Sequence, residues 1–97
     1  MITPDLKSLW GDIIRKLEPL IQRAMLITWF KDTVILGREE GKLIIGLPLP
    51  MFLNWHMEHY KDLILKAAKE LDPAIEQIVY TVDISLREGD PRVFDVL

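Results

Sequence analysis

Residues 33–50 read TVILGREEGKLIIGLPLP, and this stretch decides the fold. Thr33-Val34-Ile35-Leu36 is rich in β-branched residues and reads as a strand. Arg38-Glu39-Glu40-Gly41 reads as the turn, with Gly41 free to take a positive φ. Lys42 to Leu47 returns as the second strand of a hairpin. Pro48-Leu49-Pro50 stops it, because proline has no N–H to give a ladder.

Outward from the hairpin the period changes from two to 3.6. Met51 to Leu71 predicts a long helix with Phe52, Tyr60, Leu63, Ile64, Ala67, Ala68 and Leu71 on one side, ended by Asp72-Pro73. Alternation at Ile78, Tyr80, Val82, Ile84 and Leu86 then predicts a third strand with one buried face. On the N-terminal side, Leu6, Leu9, Trp10, Ile13, Ile14 and Leu17 mark an amphipathic helix over about residues 4–17. Thr3 suits its cap and Pro4 its first position. Glu18-Pro19 breaks it, and a second helix is expected from Pro19 to Phe30. In that helix Leu20, Ile21, Ala24 and Ile27 form a stripe, while Met25, Leu26 and Trp29 fall outside it. A helix apolar nearly all round is usually buried, and a domain this small has little room to bury one whole. The order ααββαβ is an α+β fold, a three-stranded sheet with its helices packed on one face. Residues 1–86 form the domain, and 87–97 read as the start of a linker or tail, although Val93-Phe94-Asp95-Val96-Leu97 is apolar for a linker.

The 97 residues make one domain, long enough to bury roughly 60–70% of the unfolded surface. The net charge of −3 argues against a strong phosphate-driven nucleic-acid binder. With no cysteine, disulfides and thiolate chemistry are excluded, which fits a cytoplasmic protein. No apolar run reaches a membrane span, and no signal-peptide pattern opens the chain.

Signatures of chemistry are absent. There is no phosphate-binding glycine loop, no dinucleotide fingerprint and no nucleophile elbow, so neither an enzyme nor a cofactor is expected. His56 and His59 are too few for a metal site and are expected at the surface. Lys61, Lys66 and Lys69 form at most a weakly basic strip for nucleic acid, interleaved with Glu58 and Asp62; a solubilising face accounts for them more simply. What stands out is apolar side chain beyond the needs of a small core. Trp10, Ile14, Met25, Leu26, Leu49 and Met51 are the candidate protein-binding residues, since aromatics and methionine are enriched in docking sites. On spacing alone Trp10 suits contact surface and core equally. Trp29 and Trp55 are assigned to the core.

Several of these pieces resemble the N-terminal domain of the bacterial replication initiator DnaA: Ser8-Leu9-Trp10, Thr28-Trp29-Phe30-Lys31-Asp32-Thr33, Leu43-Ile44-Ile45, Pro48, and Asn54-Trp55 with Tyr60. The resemblance runs over about residues 6–84. It implies a KH-like ααββαβ fold and a module that self-associates weakly and docks the replicative helicase and regulators of initiation. It also implies a self-association role for the first helix's tryptophan, here Trp10. A second contact surface of the family uses, in some members, an acidic residue where this chain has Met25. That surface also uses an Asn-x-Phe step where this chain has Leu49-Pro50-Met51. Two other readings stand beside this one. One is a KH-like binder of single-stranded nucleic acid, for which a G-x-x-G loop is missing. The other is a free-standing regulator mimicking the domain. The tail favours a piece of a longer initiator.

Overall fold

The computed structural model describes residues 5–94. Seven regular elements follow in order: α1 (Leu6–Leu17), α2 (Arg23–Phe30), β1 (Val34–Glu39), β2 (Lys42–Leu47), α3 (Pro50–Trp55), α4 (Lys61–Leu71) and β3 (Gln77–Val82). A π-helical turn, His56–Tyr60, joins α3 to α4, and a 3-10 turn, Ile84–Glu88, follows β3. The order is ααββαβ once α3, the π turn and α4 are taken as one crossover, so the fold is α+β as expected.

The hairpin is where the sequence placed it. Glu40 and Gly41 form its two-residue loop, with φ of 46° and 82°. Two positive φ values give the turn whose twist matches the strands it joins. Leu36 is a bulge in β1, between the pairs Ile35↔Ile45 and Gly37↔Ile44. β3 lies beside β2 and parallel to it, with Leu43↔Ile78 and Ile45↔Tyr80 in register. A parallel neighbour needs a long crossover, which α3 and α4 supply.

The helices cover one face of the sheet. Leu43, Ile45, Leu47 and Ile78 point into a cluster with Ile13, Ile14 and Leu17 of α1, Leu26 and Phe30 of α2, and Ile64, Ala67 and Ala68 of α4. Asp72 caps the end of α4 and pairs with Arg38 of β1, tying the crossover to the hairpin. Its carboxyl is held below the usual range by the N–H of Ala74 and then by the Arg38 guanidinium.

Four expectations need correction. α2 starts at Arg23 rather than Pro19, because Pro19 and Leu20 are spent reversing the chain after α1. Its inner side is Leu26 and Phe30, whereas Ala24 is exposed and Ile27 half-buried; a helix apolar on most sides has no unique inward stripe. β3 ends at Val82, where Asp83 caps the 3-10 turn through a 3.0 Å bond from the Ser85 N–H. Ile84 is thereby thrown outward while Leu86 stays buried. Finally, His56 is fully buried rather than superficial. The expected Thr3 cap and Pro4 start lie outside the described residues; Asp5 caps α1, accepting the Lys7 N–H at 3.0 Å.

Candidate docking face

The six protein-binding candidates divide by burial. Trp10, Ile14 and Leu26 are inside, at 0%, 1% and 2% exposure, which corrects their expected place on a contact surface. The reason for Trp10 is polar as well as steric. Its indole N–H donates to the Thr33 hydroxyl at 3.0 Å, and that hydroxyl donates to the Phe30 carbonyl at 2.5 Å. With its one polar atom satisfied, the ring packs against Phe30 at 5.9 Å. Ile14 and Leu26 face the same cluster from neighbouring helices.

Met25 and Leu49 are half-buried, and Met51 is 62% exposed. Their helices, α2 and α3, meet through two residues that spacing alone assigns to the core. Trp29 and Trp55 are only half-buried, and their rings stack with centroids 4.7 Å apart and planes 10° from parallel. Trp29 also meets Phe52 edge-on at 5.2 Å. Met25 and Trp29 are four residues apart on α2, and Met51 and Trp55 four apart on α3, so each pair shares a helix face. The tryptophan stack joins the two faces into one band of sulfur and aromatic surface, with Leu49 at its edge as the N-terminal cap residue of α3. The repeated Met-to-Trp spacing is visible in the sequence and would have pointed to both tryptophans.

His56 holds this band from beneath. Its Nε2 lies 2.6 Å from the Trp29 carbonyl oxygen, near the end of α2. A carbonyl only accepts, so Nε2 carries the hydrogen and the neutral ring leaves Nδ1 bare. The imidazole sits among Phe30, Phe52, Tyr60 and Tyr80, with centroids 4.9 to 6.4 Å away. Burial pushes its pKa down to about 4 against the opposing pull of the Trp29 carbonyl. Burial, with the charge of Asp62, likewise raises the Tyr80 phenol. His59 stands outside, its ring 4.3 Å from Trp55.

The nucleic-acid candidates are on α4. Lys66 and Lys69 are exposed and Lys61 half-buried. Lys66 and Lys69 share a shallow groove with Asp62, Leu65 and Glu70. A second recess, between α1 and α4, sets Lys16 and Lys66 beside Leu20, Leu63 and Glu70, with Lys16 paired to Glu70 at 3.1 Å. The strip is of mixed charge rather than basic. Among the described residues no three His, Asp or Glu side chains gather as metal ligands, and no helix is long and apolar enough to cross a membrane.

The sequence is similar to that of known proteins. The family model for the DnaA N-terminal domain matches residues 7–70. The chromosomal replication initiator protein DnaA of Deinococcus radiodurans is 27% identical over 90 residues, covering 88% of this chain and 19% of that protein. The DnaA of Anaplasma marginale is 29% identical over 80 residues, covering 82% of this chain and 16% of that protein. The DnaA of Methylacidiphilum infernorum is 28% identical over 64 residues, 66% of this chain and 14% of that protein. The chain thus spans about a fifth or less of the length of these relatives. A satisfied tryptophan on α1, a hairpin closed by prolines and an Asn-Trp step opening the crossover all fall inside the matched segment, and the chain belongs to the DnaA N-terminal domain family.

Proposed function

We propose that this domain is a protein–protein interaction module of a replication initiator, serving weak self-association and docking of the replicative helicase and initiation regulators. The observation that carries the reading is the α2–α3 band: Met25, Trp29, Leu49, Met51 and Trp55 present apolar surface that the core leaves partly open. Tryptophan anchors ringed by adaptable side chains are the usual make-up of a docking hot spot. Where an acidic or phenylalanine contact is expected in relatives, this band offers methionine, so it suits a partner pocket that takes sulfur and aliphatic groups. Weak contacts of this kind become effective when several copies are tethered side by side, because tethering raises their local concentration.

The nucleic-acid reading has less support, since Lys66 and Lys69 sit with Asp62 and Glu70 in one groove. The domain would then act through binding alone, with neither cofactor nor catalytic step.

The test is capture of the cognate replicative helicase by the immobilised domain. Met25→Glu with Met51→Glu places two charges on the band; Met51 is exposed, while Met25 is partly buried against the core, so Met51→Glu alone is the control that leaves the packing untouched. Capture should fall on the order of tenfold or more, the equivalent of about 1.4 kcal/mol, with the far-UV circular dichroism unchanged. Undiminished capture by the folded double variant would remove the band from the account.

A further inference from the structure

The chain holds four methionines and no cysteine, so its readily oxidised sulfur is thioether alone. Three of the four lie among the described residues, and the fold treats them differently. Met51 and Met57 are 62% and 51% exposed. Met25 is half-buried and packs against the core from α2. Met51 is thus the methionine that stands both on the docking band and open to solvent. It lies in the first turn of α3, and it is neither in the core cluster nor packed against it.

Chemistry at that position changes the band and leaves the fold alone. A peroxide gives one oxygen to a thioether: its O–O bond breaks, a sulfur lone pair forms the new sulfur–oxygen bond, sulfur loses two electrons, and the rest of hydrogen peroxide leaves as water. The product carries a strong hydrogen-bond acceptor where the thioether was a weak one. In the free domain water satisfies that acceptor. In an apolar partner pocket it sheds water and gains no donor, so the complex weakens. A dithiol reverses the step, taking the oxygen off as water while two thiols become a disulfide. The chain has no thiol of its own, so the reductant comes from outside. Leucine at position 51 would offer a similar apolar contact and be inert to peroxide; methionine adds the sensitivity.

We propose that Met51 is a reversible oxidation site, through which a peroxide weakens docking at the α2–α3 band and a dithiol-dependent reductase restores it. The inference rests on that band being the docking face and adds its regulation.

The experiment treats the 97-residue chain with dilute hydrogen peroxide and follows oxygen uptake at each methionine by peptide mass spectrometry. Met51 should take up oxygen several times faster than Met25. Capture of the cognate replicative helicase by the immobilised domain is measured before and after treatment, each protein being compared with itself. Capture should fall on the order of tenfold, about 1.4 kcal/mol, in wild type and in Met57→Leu, with the far-UV circular dichroism unchanged. Methionine sulfoxide reductases A and B with dithiothreitol should restore it, the pair being needed because each enzyme reduces one sulfoxide epimer. Treated Met51→Leu should change by less than about twofold. Undiminished capture by a domain oxidised at Met51, an equal loss in treated Met51→Leu, or uptake at Met51 lagging behind Met25 overturns the oxidation site and leaves the docking reading standing. A wild type that captures no helicase before treatment sinks both.

Discussion

Trp10 is held by a residue 23 positions away, and the energetics of that contact can be isolated. Thr33 is fully buried, accepts the indole N–H and passes its own hydrogen to Phe30. Valine has the same shape without the oxygen. Thr33→Val should therefore leave the packing in place but strand a buried indole N–H, costing about 1–3 kcal/mol of unfolding free energy in a urea titration. A loss below a few tenths would mean that the indole has another acceptor. The same geometry warns against reading Trp10→Ala as a binding variant. Truncating a fully buried tryptophan costs roughly 3–5 kcal/mol, enough to unfold much of a small domain. Helical spacing puts Trp10 at the edge of the α1 stripe, and nothing along the chain shows that Thr33 waits across the core. That is why surface and core look equal there. Met51, by contrast, sits at a hairpin-to-helix junction just past two prolines, and it is exposed as its position suggests.

At the scale of elements, the parts with local causes were readable. β2 runs from Lys42 to Leu47 because a turn glycine precedes it and Pro48 follows, and both signals lie within the segment. The overrun of β3 has a different origin. Ile84 and Leu86 continue the alternation, but Asp83 diverts the backbone into a 3-10 turn through a cap that competes with the ladder. The π turn at His56–Tyr60 was equally hidden, since one extra residue per turn hardly disturbs an apolar pattern and depends on what the helix must reach. It lies between α3, which carries Trp55 of the tryptophan band, and α4. The hairpin loop carries a testable strain. Glu40 sits at φ of 46°, a left-handed conformation that costs a side chain such as glutamate about 1–2 kcal/mol and that asparagine tolerates. Glu40→Asn should raise stability by up to about 1 kcal/mol, seen as a higher urea midpoint at unchanged m-value. A lower midpoint would show that Glu40 makes a contact worth more than its strain.

On the scale of the whole molecule, His56 is the joint at which the docking face meets the core. It bonds the Trp29 carbonyl across 27 residues of chain and packs against aromatics of α2, α3, the π turn and β3. The titratable groups facing it are the phenols of Tyr60 and Tyr80; burial raises the Tyr80 phenol. Folding holds the imidazole neutral, with its pKa lowered from 6.5 to about 4 by burial, because a proton on Nδ1 would find no acceptor. The unfolded chain takes up that proton first. The stability this group contributes is therefore complete above pH 6.5, declines as pH falls from there toward 4, and is lost below. Between pH 7 and pH 5 the loss should be about 2 kcal/mol, since a tenfold rise in proton concentration favours the protonated, unfolded chain by about 1.4 kcal/mol within that window. His56→Gln keeps a donor for the Trp29 carbonyl without the titration, and exposed His59 is common to both proteins. The difference in unfolding free energy between wild type and His56→Gln, measured by urea titration at half-unit steps of pH, should narrow with acid over this window. Parallel curves would mean that the fold accommodates the charged ring, and that the tryptophan band is not held from beneath by a neutral histidine.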